Sequence, residues 1–412
     1  MTGLVLPSPC AHVVVFPHIA QRHALPLLDI CKALKSLSVK FTIITTPKNA
    51  PLILSKVSNY SEISLRTIQF SRVPELPKGG GNTADHPTMA LLVPFLKATK
   101  AMRPAFECVL REMSEARYCP LYSFRIPRIV FHGMGVLSMV IVKAVLSILV
   151  MLDSDPIKLL KLSIPFTINK YDITILERCK DPNDPFLSVL AAIEEANVNS
   201  EGVIVNSFEE LEGDYIAALE RFYYQGARAW CIGRLCSTTR FKWTGLWDPN
   251  RQTHLTHGLH MARHLFIWAV KSATWVSPNN GWEDLLKRRG FILHNWSDWP
   301  HILSQPVGGD VLLPNFLLQS LPMGVPMLAW PMGAEQLFNA KLVVIGLKAG
   351  EVIMDGVKEL TGGERARQAR DRARQIGRLA RQAVEKKGGS SYQNLGGLIK
   401  FLKERVKESL DR

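Results

Sequence analysis

A chain of 412 residues, 47% hydrophobic and 21% charged, is long enough for two domains that each bury a core, and its composition argues against disorder. Its seven cysteines are odd in number and scattered without a C-x-x-C pair, which speaks against a disulfide scaffold or zinc ribbon and for a reducing compartment. The formal charge of +14 raises nucleic acid as a partner, but much of the excess sits in one arginine-rich segment. No nucleic-acid module accompanies it, so no nucleic acid is expected.

In chain order, the first 50 residues read as strand, turn, helix and strand. His12 to Phe16 is a short β-branched run, Leu25 to Leu37 has helical periodicity, and Lys40 to Thr46 is β-branched again. Such a βαβ opening implies a parallel, doubly wound α/β sheet. The start lacks a basic stretch before a long apolar run, so no signal peptide is expected and the chain is read as cytoplasmic. The glycines of Pro77 to Asp85 lack the G-x-G-x-x-G spacing and read as a loop.

Arg128 to Phe131 predicts a strand, and Val136 to Leu152 predicts a buried helix. Its apolar run, broken by Lys143, falls short of the ~20 residues a bilayer demands, so no stable membrane insertion is expected. Gly202 to Asn206 predicts a strand that runs into a helix, with Ser207 and Glu210 spaced as a capping box. Ala227 to Leu235 reads as a further strand and turn.

His254, His257, His260 and His264 recur at spacings of three and four, which puts three imidazoles on one helix face as a transition metal requires. No supporting carboxylate is evident nearby, so a surface or interdomain helix is the preferred reading and no metal is expected. Glu364 to Lys387 predicts a solvated helix, its arginines surrounding a modest apolar stripe of Ile376, Leu379, Ala380 and Ala383. Gly388 and Gly389 are placed to end that helix. Ser391 to Arg412 reads as a last helix.

Gly324 to Ala340, GVPMLAWPMGAEQLFNA, resembles the end of the donor-binding box of the plant family 1 UDP-glycosyltransferases. The resemblance extends over nearly the whole chain, with internal gaps. It implies the GT-B arrangement, two doubly wound domains facing a cleft. Residues 1–236 would bind the acceptor, and 237–387 would bind the UDP-sugar while lacking their first strand. Residues 388–412 would form a helix packing back on the N-terminal domain.

Phe16 to Pro26, FPHIAQRHALP, resembles the family's loop after the first strand, and the resemblance makes His23 the general base. An inverting transfer needs the acceptor hydroxyl deprotonated as its oxygen attacks C1 of the sugar and UDP leaves. An imidazole, with its ordinary pKa near ~6.5, suits that task. Arg22 replaces the family's glycine, and a neighbouring cation disfavours the imidazolium. The orienting aspartate has no counterpart, because Pro120 to Phe124 runs straight into Arg125 to Gly133. Losing it implies turnover lowered by a factor on the order of 10⁴. Glu107, Glu112 and Glu115 remain open as substitute carboxylates.

On the donor side, Trp296 resembles the tryptophan that stacks on uracil, and Trp299 stands where Pro-Gln is usual. Gln319 takes the place of a ribose-binding glutamate. Glu335 and Gln336 match the pair that holds the sugar hydroxyls, and a glutamine there is what glucose-preferring members carry. Gly308 to Leu318 replaces the His, Asn and Ser that ring the diphosphate at a helix N-terminus. The resemblance implies a monomeric UDP-glucosyltransferase acting on a hydroxyl of a small lipophilic acceptor, with UDP-glucose as donor substrate and no cofactor. The competing reading is an inactive relative, a non-catalytic binder or truncated product.

Overall fold

The β-branched run predicted first forms β1 (His12–Val15), which pairs in parallel with β2 (Lys40–Thr45), itself parallel to β3 (Ile63–Thr67). In the computed structural model residues 11–233 are described apart from 20, 36–38, 78–80, 83–88, 116–125, 149–154, 160–161, 174–180 and 182. Beyond them 266–270, 288–294, 311–313, 321–329, 331, 335–352 and 363–410 are described. Two compact units emerge, one of Met1–Ser154, Ile173–Ser237 and Gln382–Arg412, the other of Asp155–Asp172 and Thr238–Arg381.

In the first unit the crossovers are α1 (Gln21–Lys35) and α2 (Ala50–Val57), followed by α3 (Leu92–Lys100) and α4 (Arg103–Glu115). A second parallel sheet follows, with β4 (Ile129–His132) and β6 (Arg228–Cys231) flanking β5 (Gly202–Val205). Between its strands lie α5 (Val136–Ile148), α6 (Pro185–Val198), α7 (Glu209–Glu212) and α8 (Ile216–Glu220). β5 is buried along its whole length, as a near-continuous apolar run in a parallel sheet should be. One core joins both sheets, placing Val15, Phe41 and Ile43 with Ile204, Trp230 and Ile232.

The second unit contains parallel pairs of β7 (Phe266–Val270) with β8 (Gly290–His294), and of β9 (Val311–Leu313) and β11 (Gly350–Val352) with the central β10 (Met327–Ala329). Its helices include α9 (Gln336–Lys341) and α10 (Gly363–Gln382). Asp155–Asp172 joins this unit through Lys341, which pairs with the buried Asp172 and donates to the Thr167 carbonyl at 2.8 Å.

The last helix, α11 (Ser390–Leu410), docks on the first unit. Ser390 Oγ donates to Glu210 at 2.7 Å, Asn394 Oδ1 accepts from the Cys231 N–H at 3.2 Å, and Phe401 lies 5.2 Å from the Trp230 ring.

Three local expectations change. α1 begins at Gln21, ahead of the expected Leu25, so His23 stands in a helical first turn and not in a loop. Apolar periodicity does not see a polar first turn, yet Gln, Arg and Ala are good helix formers. The Ser207–Glu210 capping box does not form. α7 starts after Phe208, and Ser207 Oγ donates instead to Glu212, a fully buried carboxylate that needs donors. The arginine helix ends at Gln382, with Gly388 (φ +92°) serving the turn beyond it. That helix is solvated on one side only: Ala366, Ala369, Ala373, Ile376 and Ala380 are buried.

Glu212 also reaches across to α5, whose first N–H groups, those of Val136 and Leu137, it accepts at 3.2 and 2.9 Å. The carboxylate satisfies donors that a helix N-terminus leaves over. Burial pushes its pKa upward, against the lowering effect of these hydrogen bonds.

Candidate functional site

In open parallel sheets ligands bind outside the carboxyl ends of the strands. In the first unit, β1 delivers Phe16 to Ile19 and then the first turn of α1, so His23 stands just past the carboxyl end of β1. The same end of the sheet collects an aromatic group that sequence reading did not single out. Phe16 lies 5.1 Å from Phe106, Phe70 stacks on Phe95 at 5.4 Å, and the half-buried His18 meets Phe95 edge-on at 6.0 Å. Its signal in the sequence was the inward periodicity of α4, where Phe106, Val109 and Leu110 share a face. Burial holds the His18 imidazole below its ordinary pKa.

Beyond β2, Asn49 Nδ2 donates to Thr46 Oγ1 at 2.7 Å and to the Gly81 carbonyl at 3.0 Å, and Asn82 Nδ2 donates to Asn49 Oδ1 at 2.5 Å. These buried amides fasten the loop after β3 to the end of β2. At the end of β4, the half-buried His132 has a desolvated ring near Lys143, and both effects push its pKa down to about 4. Its Nε2 is enclosed without a hydrogen-bond partner. Lys143, itself 5% exposed, donates to Glu194 at 2.6 Å and lies 4.7 Å above the Tyr223 ring.

Of the open carboxylates, Glu107 accepts from Arg103 Nε at 2.7 Å and Glu112 from Cys108 Sγ at 3.7 Å. Both stand off the α4 face that packs on the core. The Glu115 side chain, and the segment 116–125 that departs from the family's pattern, lie outside the described residues.

In the second unit, β10 is the middle strand of its sheet, and the chain leaving its carboxyl end arrives at Glu335 and Gln336. Glu335 precedes α9, its carbonyl accepting from Phe338 and Asn339 N–H, both at 3.1 Å. Both members of the pair are half-buried. α9 then widens into a π-helical turn, Leu342–Gly346. Within the segment that replaces the diphosphate ring, residues 311–313 form β9 and pair with β10. Trp296, Trp299 and Gln319 lie outside the described residues, as do the histidine run His254–His264 and residues 241–247.

Glu335 and Gln336 thus follow the central strand of their sheet in the second unit, and His23 follows β1, an edge strand, in the first. Among the described residues no cluster of three or more His, Cys, Asp and Glu is grouped to hold a metal. No helix there is long and apolar enough to cross a membrane.

No family model matches the chain. The UDP-glucose flavonoid 3-O-glucosyltransferase 7 of Fragaria ananassa is 30% identical over 474 aligned positions, covering 94% of this chain and 95% of its own. UDP-glycosyltransferase 90A1 of Arabidopsis thaliana is 28% identical over 466 positions, covering 95% and 96%. Both alignments are longer than the 412 residues available here, so these relatives carry stretches that this chain lacks. Among solved structures, UGT73P12 of Glycyrrhiza uralensis, complexed with glycyrrhetinic acid 3-O-monoglucuronide, superposes with a TM-score of 0.79 at 22% identity over 98% of both chains. UGT2 of Phytolacca americana, complexed with UDP-2fluoro-glucose and pterostilbene, gives 0.75 at 19% identity, covering 95% of this chain and 99% of its own. The fold is that of these structures, GT-B.

Proposed function

Because the chain belongs to the plant UDP-glycosyltransferases, we propose that it transfers glucose from UDP-glucose to a hydroxyl of a small lipophilic acceptor, with inversion. His23 takes the proton from the acceptor hydroxyl as the oxygen attacks C1 of the sugar. The bond from C1 to the diphosphate oxygen breaks, and UDP leaves with that electron pair. Glu335 and Gln336 hold the sugar hydroxyls. Trp296 stacks on uracil with Trp299 beside it, and Gln319 bonds the ribose. Residues 1–236 bind the acceptor, 237–387 bind the donor, and the chain works as a cytoplasmic monomer.

The observation that carries this reading is a whole-length relationship to glycosyltransferases, with His23 and the Glu335–Gln336 pair each standing outside the carboxyl end of a parallel strand. The half-buried Phe16, Phe70 and Phe106, packed around the buried Phe95, put apolar surface at the end of the sheet that leads to His23, which suits a lipophilic acceptor. An inactive relative is the weaker reading, since full-length likeness runs to enzymes. The test is incubation with UDP-glucose and a panel of hydroxylated aromatic and terpenoid acceptors. Glucoside formation that vanishes in His23→Ala is expected. A folded chain that releases UDP at the same rate in both forms contradicts the assignment.

A further inference from the structure

Asp155–Asp172 lies in sequence between two stretches of the first unit, Met1–Ser154 and Ile173–Ser237, yet belongs to the second unit. It is seated there by an apolar set of its own. Ile157, Phe166 and Ile168 are buried, and Ile157 bridges Ile168 antiparallel, its N–H donating to the Ile168 carbonyl at 2.8 Å. Connections ordinarily run over the surface with little of their own to bury; this strap is built into the unit.

What the strap holds is α9 and the turn that continues it. Lys341, the last residue of α9, pairs with Asp172 Oδ2 and donates to the Thr167 carbonyl at 2.8 Å, its ammonium 6.0 Å from the Tyr171 ring. Asp172 is 1% exposed, and its Oδ2 also accepts from the Asn169 N–H at 2.7 Å. At the end of the π-helical turn Leu342–Gly346, a β-carbon on Gly346 would lie 2.9 Å from Pro165 Cγ. The strap thus meets the chain at Lys341 and again at Gly346.

α9 needs such a hold. It has six residues, too few for a helix to persist by its own hydrogen bonds, and of these Phe338 and Ala340 are buried. Its first turn carries Gln336. Glu335 stands at its N-cap, the Glu335 carbonyl accepting from the Phe338 and Asn339 N–H groups. Lys341 is five residues beyond Gln336, about one and a half helical turns away. The ion pair has leverage on that short rod, because removing one partner leaves the other charge enclosed and unmet.

We propose that Asp172 and Lys341 are positioning residues for the sugar half of the donor site: the strap's ion pair sets the seat of α9 and, through it, the orientation of Glu335 and Gln336. They act through the helix and not on the sugar themselves. The proposal rests on the donor role given above to Glu335 and Gln336. Hydrogen exchange at the Phe338 and Asn339 amides reads the positioning without any ligand, so the two are separable.

The experiment combines that exchange measurement with calorimetric titrations of UDP-glucose and of UDP on the full chain. Lys341→Met keeps the stem and removes the charge, whereas Lys341→Arg keeps the charge. The double variant Asp172→Asn/Lys341→Met leaves no buried charge unmatched, which serves if the single variant melts early. Arginine still pairs with Asp172, whose Oδ1 is enclosed without a hydrogen-bond partner and open to a second guanidinium N–H. Expected in the methionine and double variants are faster exchange at both amides and UDP-glucose binding weakened about 5-fold or more, with UDP binding changed less than about 2-fold. Lys341→Arg should match the parent. Unchanged exchange, or faster exchange with UDP-glucose affinity intact, overturns the proposal and leaves the donor role standing. Equal weakening of UDP and UDP-glucose overturns it too, since that marks a general loss of the unit. A parent chain that fails to bind UDP-glucose contradicts the donor role itself, and the proposal falls with it.

Discussion

Gly377, on the buried side of α10, stands so close to Gly324 that a β-carbon on it would lie 2.9 Å from both the nitrogen and the α-carbon of Gly324. Gly324 needs its own freedom, with φ at +77°, a conformation that glycine adopts at no steric cost. The contact fixes the turn three residues before β10, and β10 leads to Glu335 and Gln336. Packing of the arginine helix and placing of the proposed donor pair are therefore one problem.

Gly377→Ala gains helix propensity of ~1 kcal/mol but overpacks against backbone that has no side chain to move, so a net loss of about 1–2 kcal/mol is expected. Urea denaturation measures it. An unchanged or raised midpoint would mean that the turn at Gly324 yields.

Glu212→Ala strips acceptors from the Val136 and Leu137 N–H groups and from Ser207. Leaving them buried and unmet is expected to cost about 3 kcal/mol. Gly135→Ala attacks the same joint from the other side, since its β-carbon would come within 2.7 Å of Glu212 Oε2. Both variants should lower the midpoint of chemical denaturation, Glu212→Ala more than Glu212→Gln, whose amide oxygen still accepts one bond. Midpoints equal to the parent's in all three variants would remove Glu212 from its role.

His132 gives the fold a defined acid limb. Folded, its pKa is about 4, below the ordinary 6.5, because burial and then Lys143 oppose the charge more than Glu194 favours it. The unfolded chain thus binds the extra proton first. Stability from this residue is complete above pH 6.5 and lost as pH falls toward 4, on the order of 2–3 kcal/mol. Denaturant titrations across that range should show a flatter dependence in His132→Phe than in the parent. Identical slopes would show that His132 is reached by solvent.

The strands were legible because parallel strands buried on both faces read as β-branched runs: His12 to Phe16, Lys40 to Thr46 and Gly202 to Asn206 each appear where the pattern puts them. The first turn of α1 was not, since Gln21, Arg22 and His23 carry no apolar period. Nor was Glu212, whose partners Val136 and Leu137 are more than 70 residues away in sequence. A capping box is a local signal, and a buried carboxylate from outside the pattern overrode it. Of the candidate site, Glu335, Gln336 and His23 were legible only through resemblance, because a single acid, amide or imidazole has no periodicity to read. The aromatic group around Phe95 needed the fold to bring residues 16, 70, 95 and 106 together.

The proposed donor pair makes a separable prediction. Glu335 and Gln336 are assigned to the sugar and not to the nucleotide, so Glu335→Ala should weaken UDP-glucose binding about 10-fold or more while leaving UDP itself almost unaffected, as loss of hydrogen bonds to a charged group implies. Parallel titrations with the two ligands check this. Equal weakening of both would move Glu335 away from the hexose.

The most direct measurement of the central claim is calorimetric titration of the folded chain with UDP-glucose. Saturable binding with a Kd below ~1 mM, a free energy more favourable than about −4 kcal/mol, is the predicted result. It would show that the donor site survives the replacement of Gly308 to Leu318. No heat of binding up to that concentration, from a chain with an intact melting transition, would contradict the glycosyltransferase assignment.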